Sequence, residues 1–201
     1  HILDLNASSR KQERRDRLEP LVQHTFPLLF ELLKALLGQE GNSFNGVLAH
    51  LVAKIFQCVI QYGIPVLLMN EEVLGAWVEL LAAVVQRNIS DTPQDEDAAR
   101  DHPWWKAKRH AMVGLHRLLD RYGSDSSPME FKAITPVIKR PGGLAQKLIL
   151  PCAMWVLHKR FGENQLTPPA VICLALLIIE TSVNHSLLFK DLKGELPALM
   201  S

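Results

Sequence analysis

Apolar residues recur three and four positions apart along most of the chain, which is the period of a helix with one buried face. No segment shows the alternating pattern of a strand bounded by hairpin turns. The pattern predicts six main helices, separated by glycine, proline and asparagine, over residues of about 16–37, 45–62, 70–87, 102–123, 144–161 and 168–188. The fold class expected from this pattern is all-α.

Local signals mark several of these helix ends. Asn70 is a predicted N-cap, and two glutamates follow it where the helix dipole favours carboxylates. Pro103 suits the first position of the fourth helix, and Gly123 suits its end. Pro27 lies inside the first helix and is expected to bend it.

Three segments lack helical periodicity. Residues 1–15 are polar and basic, and they are interpreted either as a frayed or solvated helix start or as a basic arm that contacts a partner. Residues 88–101 are predicted to form an exposed acidic loop, and residues 124–143 a second long loop.

The helices group into three antiparallel pairs over residues of about 16–62, 70–123 and 144–188. Each helix is too apolar to stand alone, so the pairs are expected to stack on one another. Periodicity alone fits either a stack of pairs, as in a HEAT-repeat α-solenoid, or a compact helical bundle.

The fourth helix has the sharpest division between its faces. One face is apolar and includes Trp104, Trp105 and Tyr122, which are interpreted as structural anchors between helix pairs. The alternative for the tryptophans is an exposed ring that serves as a stacking surface. Lys108 also falls on the apolar face, so its amine is expected either to reach the edge or to cross to a carbonyl or carboxylate of a neighbouring repeat.

The opposite face of this helix carries a stripe of basic residues, here called the basic stripe. Its simplest interpretation is a solvated surface, and the alternative is a surface that binds acidic groups of a partner. The stripe consists of Lys106, Arg109, His110, Arg117 and Arg121. The preceding acidic segment, which includes Asp95, Glu96 and Asp97, could fold over the stripe when no partner is bound.

The motif HPWWKAKRHAMVGLHRLLDRYG, at residues 102–123, resembles the importin-β superfamily of nuclear transport receptors, in particular the subgroup of importin-7 and importin-8. The resemblance is carried by the double tryptophan, the lysines beside it and the closing Arg-Tyr-Gly. Residues 25–37 and 182–193 are similar to other helices of that family. Arg109 and His110 depart from the family pattern, which usually has lysine and tryptophan there.

The resemblance implies a HEAT-repeat solenoid that carries proteins into the nucleus and shuttles between cytoplasm and nucleus through the nuclear pore. Its implied partners are cargo proteins, Ran GTPase in the GTP form and the phenylalanine-glycine repeats of nucleoporins. The second helix of each pair would line a concave surface, which makes the basic stripe and the acidic segment candidates for partner binding. The runner-up is a HEAT-repeat scaffold in another assembly without dependence on Ran.

Phenylalanine-glycine repeats would bind in apolar slots between neighbouring outer helices, here the first and third. Candidate slot residues are Leu28, Val73 and Ala76. The simpler interpretation of each is an ordinary core position.

Composition narrows the function further. The 201 residues carry a net charge of +1, which implies no strong attraction to nucleic acid or membrane. The longest apolar run, residues 170–179, is shorter than the ~20 residues that cross a bilayer. Three widely spaced cysteines and the absence of catalytic or metal-ligand motifs predict no disulfide, metal, cofactor or enzymatic activity. Because the sequence starts without methionine, we expect an internal segment of a longer protein.

Overall fold

The computed structural model describes residues 2–39, 42–61, 63–89, 95–122, 137, 147–148, 151–154, 156 and 168–184. These residues form helices and connecting turns, with no strand among them, which confirms the predicted all-α class. The named helices are α1 (Ile2–Leu37), α2 (Ser43–Ile60), α3 (Glu71–Gln86), α4 (Glu96–Asp101), α5 (Pro103–Tyr122) and α6 (Pro169–Asn184). A short 3₁₀ segment, Val66–Met69, lies between α2 and α3.

Helix α1 is much longer than the apolar pattern predicts, since it begins at Ile2 rather than near residue 16. The apolar residues of the added segment are confined to its first few positions, so residues 8–15 show no apolar period. Residues 10–15 are arginine, lysine, glutamine and glutamate, which are good helix formers. Arg17 donates to the Glu13 carboxylate at 2.6 Å, one turn away, which is a stabilising arrangement on a solvated helix. The helix continues through Pro20 and Pro27.

Side-chain caps set the beginnings of the next two long helices. The Asn42 side chain accepts a hydrogen bond from the Asn45 amide at 2.8 Å, so α2 begins a few residues before the predicted start. Asn70 accepts from the amides of Glu72 and Val73 at 2.9 and 3.1 Å. This confirms Asn70 as the N-cap of α3.

The helices pack as two successive pairs, α1 with α2 and α3 with α5, and the second helices of the two pairs make the most extensive contact. Helix α1 also packs on α3, and α6 packs on α5. This succession of stacked pairs is the arrangement of a HEAT-repeat solenoid. It places α2, α5 and α6 side by side in one layer.

Three aromatic rings from three helices form the centre of the core. The ring of Trp77 lies 5.1 Å from that of Phe26 and 5.3 Å from that of Phe56, measured between centroids. All three rings are almost completely buried. Because they come from α3, α1 and α2, they join the first pair to the second.

The sequence pattern predicts a loop over residues 88–101. This prediction is wrong for residues 96–101, which form the short helix α4. Asp95 caps this helix by accepting from the Ala98 amide at 2.8 Å. The segment is too short to show a helical period, and its capping aspartate is one of several acidic residues in a row of polar positions. Residues 90–94 of the predicted loop lie outside the described residues.

Most of the region between α5 and α6 also lies outside the described residues, including nearly all of the predicted loop 124–143. Residues 147, 148, 151–154 and 156, within the predicted fifth helix, are helical. Among them Leu148 and Cys152 are buried. The last predicted helix appears as α6, and its predicted continuation beyond residue 184 is likewise outside.

Judged by length and composition alone, one helix of the described part of the chain, α2, is long and apolar enough to cross a membrane. A core helix of a soluble protein passes the same test, and α2 packs along one side on α5. Its opposite side exposes apolar side chains, among them Phe44, Val47, Leu51 and Ile55.

Candidate partner-binding surface on helices α2 and α5

Helix α5 is anchored at its N-terminus by Trp104, whose side chain is only 1% exposed. The indole nitrogen donates to the carbonyl oxygen of Asn42 at 3.0 Å, and the guanidinium of Arg87 lies 4.3 Å from the ring centroid. Gly46 of α2 makes room for the ring, because a Cβ there would lie 2.8 Å from the Trp104 Cδ1 atom. Trp105 is also buried, at 8% exposure, so this burial favours anchors over an exposed stacking ring.

Lys108 is buried on the inner side of α5, where it is 3% exposed. Its amine donates to the backbone carbonyls of Val85, at 2.6 Å, and of Arg87, and it faces the Trp105 ring at 5.3 Å. The expected crossing to backbone carbonyls is confirmed, although they lie at the end of α3 in the same pair. Burial, together with the Arg87 charge, lowers the pKa of Lys108 to about 7.

Two arginines connect corresponding helices of the two pairs. Arg87, which follows α3, donates to the carbonyls of Leu37 and Gln39 at the end of α1, at 3.1 and 2.7 Å. Arg121, in the last turn of α5, donates to the carbonyls of Ile60 and Gln61 at the end of α2, at 3.1 and 2.7 Å. Each guanidinium thus satisfies carbonyls that a helix C-terminus leaves unpaired.

The basic stripe of α5 is therefore not a uniformly solvated face. Arg121 is occupied by the end of α2, and Lys106 pairs with the carboxylate of Asp101 at 2.9 Å. The ring of His110 is half-buried, and its Nδ1 atom lies 2.6 Å from Oε1 of Gln57 on α2. Arg109 and Arg117 are also half-buried.

The structure adds three residues of α2 that the sequence interpretation missed. The rings of His50 and His110 lie 4.9 Å apart between centroids, and Lys54 and Gln57 follow on the same side of α2. Their spacing of four and three residues along a helix was visible in the sequence. Only the packing of α2 on α5 shows that these residues lie beside the basic stripe.

The electrostatics of this surface follow from crowded positive charge. Burial, together with the neighbouring His50, Arg109 and Lys54, lowers the pKa of His110 to about 4. The pKa of His50 is lowered by burial and by Lys54, Lys106 and Arg109. Both rings are therefore neutral at pH 7.

The pKa of Asp101 is also lowered, which for a carboxyl group favours the charged form. Its hydrogen bond and charge interaction with Lys106 lower its pKa, with smaller contributions from Arg100 and Arg109. Asp101 therefore stays ionised and attached to the edge of the stripe near neutral pH.

The acidic candidates Asp95, Glu96 and Asp97 lie on the first turn of α4 and its cap. Asp95 is exposed and engaged in capping, and Asp97 is exposed; the side chain of Glu96 lies outside the described residues. The contact between acidic segment and stripe that the structure shows is made by Asp101. The expected folding of 95–97 over the stripe remains a hypothesis.

The candidate slot residues lie in different surroundings. Leu28 of α1 is 72% exposed, Val73 of α3 is half-buried against the core, and Ala76 of α3 is exposed. Ala76 lines an open cleft of about 780 Å³, but Leu28 and Val73 do not line it. The remaining described lining is mostly polar and acidic: Asn70, Glu71, Glu72, Gly75 and Glu79.

The described residues contain no group of three histidine, cysteine or acidic side chains placed to hold a metal ion. The cysteines Cys58, Cys152 and Cys173 form no disulfide. Burial raises the pKa of the Cys152 thiol to about 12, so this side chain is an unreactive core group near neutral pH. Tyr122, the third structural candidate, is buried at the end of α5.

Comparison with known proteins gives relatives along nearly the whole chain. Mouse importin-8 is 25% identical over 188 residues, and the importin beta-like SAD2 homolog of Arabidopsis thaliana is 27% identical over 208 residues. These alignments cover 92% and 99% of the chain but only 18% and 19% of the relatives. A probable importin-7 homolog of Dictyostelium discoideum is 33% identical over 101 residues, or 48% of the chain and 9% of that protein.

No family model and no solved structure matches the chain. Several importin-8 and importin-7-like proteins align with the chain, which supports a relationship to that group of proteins. The stacked helix pairs are consistent with this relationship. The chain spans about a fifth of the length of the curated relatives it matches. The comparisons therefore support an importin-β family relationship for this chain.

Proposed function

We propose that the chain is a segment of a nuclear import receptor, which binds cargo proteins in the cytoplasm and carries them through the nuclear pore. The observation that carries the proposal is the alignment with importin-8, which extends over 92% of the chain. Stacked helix pairs with a continuous inner layer support it, because such a layer offers an extended surface to a protein partner.

In this proposal the chain acts by binding and carries out no chemical reaction. Cargo is held by the inner layer that includes α2 and α5, where Lys106, Arg109, His110 and Arg117 face a partner. Arg121 contributes by fixing α5 to α2 rather than by direct contact. Asp95, Glu96 and Asp97 belong to the segment that competes for this surface when cargo is absent.

The release step depends on a second partner. Ran GTPase in the GTP form binds the same receptor and favours a curvature that cargo does not, so that the two ligands weaken each other's binding. The coupling needs a solenoid whose pairs change angle slightly, and small changes per pair add up along many pairs. The receptor then returns to the cytoplasm, so it occupies both compartments.

Transit through the pore requires weak contacts with phenylalanine-glycine repeats on the outer helices. Leu28 is the best of the three slot candidates, because its side chain is largely exposed on α1. Ala76 and Val73 are less suitable, since one lines an acidic cleft and the other packs against the core. Many weak contacts acting together would give fast and reversible binding.

The decisive experiment uses the full-length protein that contains this chain. The protein is immobilised and exposed to Ran loaded with GTP or with GDP. Retention of the GTP form alone is the expected result, and addition of that form should release bound cargo. Equal retention of both forms, or of neither, would contradict the receptor proposal and favour a scaffold.

A further inference from the structure

The strongest unassigned feature of the molecule is a group of basic side chains at the contact of α2 and α5, here called the α2–α5 basic patch. It contains a pair of histidine rings, tilted by 31° with centroids 4.9 Å apart, and cationic side chains around them. Its members are Lys106, Arg109 and His110 of α5, which belong to the partner surface described above, together with His50 and Lys54 of α2.

The patch combines positive charge with partial burial. Four of its side chains are half-buried, and Lys54 is exposed. A charge at such a surface is less screened by water and salt than one on a free helix face, so an opposite charge brought there is held more strongly. The carboxylate found at its edge, that of Asp101, lies on the exposed helix α4 and reaches Lys106.

We propose that the α2–α5 basic patch binds an acidic peptide segment of a protein partner, rich in aspartate or glutamate, which displaces Asp101 from Lys106. The proposal rests on the partner-binding part of the proposed function, but it requires neither Ran nor the nuclear pore. It adds two residues of α2 to the site, and it specifies the chemistry of the ligand.

A peptide fits the patch better than a nucleic acid does. Proteins that bind single strands stack bases on exposed aromatic rings along a basic groove. Here the two tryptophans beside the patch are buried, and the net charge of +1 gives no long-range attraction for a phosphate backbone. Several carboxylates spaced along one segment match cationic side chains that lie on two adjacent helices.

The two histidines make the binding dependent on pH. His50 faces Lys54, Lys106 and Arg109, whereas His110 faces Gln57, His50, Lys54 and Arg109. Burial and the positive charges of the lysine and arginine neighbours keep both rings neutral near pH 7 when no partner is bound. A bound carboxylate favours the protonated ring, so binding takes up protons and becomes tighter as the pH falls.

The test measures fluorescence anisotropy of a labelled peptide of ten glutamates with the whole protein, at pH 7.5 and pH 5.5. Glutamate stays largely ionised at both values. We expect the dissociation constant to fall at least about fivefold at the lower pH, because protonation of one ring adds a charge at the contact. A peptide of ten serines is the control ligand.

Three variants assign the effect to the patch. The double variant Lys106→Gln with Arg109→Gln should weaken binding about tenfold, because two cations facing the peptide are lost. His50→Gln with His110→Gln should remove the pH dependence, so that binding is no tighter at pH 5.5 than at pH 7.5. Asp101→Asn should tighten binding about threefold, since the competing carboxylate is gone.

Lys34→Gln is the matched control, because Lys34 is an exposed cation in the last turn of α1 and should leave binding unchanged. Unchanged binding in the Lys106/Arg109 double variant, a pH response that survives loss of both histidines, or tighter binding of single-stranded RNA would each overturn the proposal. Helix content of every variant is checked by circular dichroism. Failure of Ran retention with intact peptide binding would reject the receptor function alone, and the reverse result would reject this site alone.

Discussion

Lys106 and Lys108 are two residues apart on α5, yet they lie in opposite surroundings. The side chain of Lys106 is 35% exposed and pairs with an exposed carboxylate of α4. Lys108 is 3% exposed, and its amine donates to two backbone carbonyls at the end of α3. A helix turns by about 100° per residue, so a shift of two positions moves a side chain to the other face.

The difference shows that the same residue type serves two purposes on this helix. On the inner face, a cation replaces the hydrogen bonds that the last turn of a neighbouring helix lacks, and removing it leaves buried carbonyls unsatisfied. On the opposite face, Lys106 is held by the side chain of Asp101, which a partner's carboxylates can replace. The first set stabilises the fold, and the second set is available for binding.

The largest expected effect concerns the anchor of the inner face. Trp104→Ala should lower the free energy of unfolding by about 3–5 kcal/mol, because it removes a buried ring, its hydrogen bond to Asn42 and its contact with Arg87. Urea denaturation measures this loss. Leu28→Ala, at a side chain that is 72% exposed, should change stability by less than about 0.5 kcal/mol. Similar losses in the two variants would contradict the anchor role of Trp104.

Lys108 should give stability a pH dependence that Lys106 does not. The pKa of Lys108 is about 7 in the folded protein and about 10.4 in an unfolded chain, so the unfolded chain binds more protons between these values. Stability should therefore rise with pH, by about 2 kcal/mol from pH 7 to 8.5. Ionisation of the Cys152 thiol in the unfolded chain acts in the opposite direction, and it offsets only about 0.4 kcal/mol of this rise by pH 8.5.

Lys108→Met should remove this rise, and Lys106→Met is the matched control that should retain it. Urea denaturation at four pH values between 6.5 and 8.5 measures the slope for each protein. A slope that persists without Lys108 would assign the dependence to another group.

Two glycines at the contact of α2 and α5 should respond differently to the same substitution. A Cβ on Gly46 would lie 2.8 Å from Trp104 Cδ1 and 2.9 Å from Pro103 Cβ, whereas one on Gly114 would lie 3.3 Å from Phe56 Cδ1. Gly46→Ala should cost about 1–3 kcal/mol by overpacking. Gly114→Ala should be nearly neutral, because the gain in helix propensity, about 1 kcal/mol, offsets a small shift of the phenyl ring. Thermal denaturation compares the two, and equal losses would contradict the difference in packing.

The smallest expected effects concern the two arginines. Arg121→Lys should cost about 0.5–1 kcal/mol, since a lysine cannot hold the carbonyls of Ile60 and Gln61 with a rigid fork. Arg87→Lys should cost somewhat more, about 1–2 kcal/mol, because the stacking on Trp104 is also weakened. Chemical denaturation of both variants would contradict this order if Arg121→Lys were the more damaging.

Much of the fold was accessible from the sequence where apolar residues are periodic. The helical class, the cap at Asn70 and the double-faced character of α5 all follow from local patterns. The pattern failed where helices are polar. The sequence of the first part of α1 has no sustained apolar period, and α4 is too short to show one, so their helical state rests on propensity and caps that a periodicity argument does not weigh.

The residue pattern of α5 alone shows which of its positions are basic and which are apolar, and it places Lys108 on the apolar face. The resemblance in residues 102–123 also points to the family that the comparisons support. The packing of the helices is needed to show that His50 and Lys54 join the basic residues of α5, and that Arg121 is bound to the end of α2. Contacts between residues some 60 positions apart depend on how helices pack, and helical periodicity specifies a buried face without specifying its neighbour.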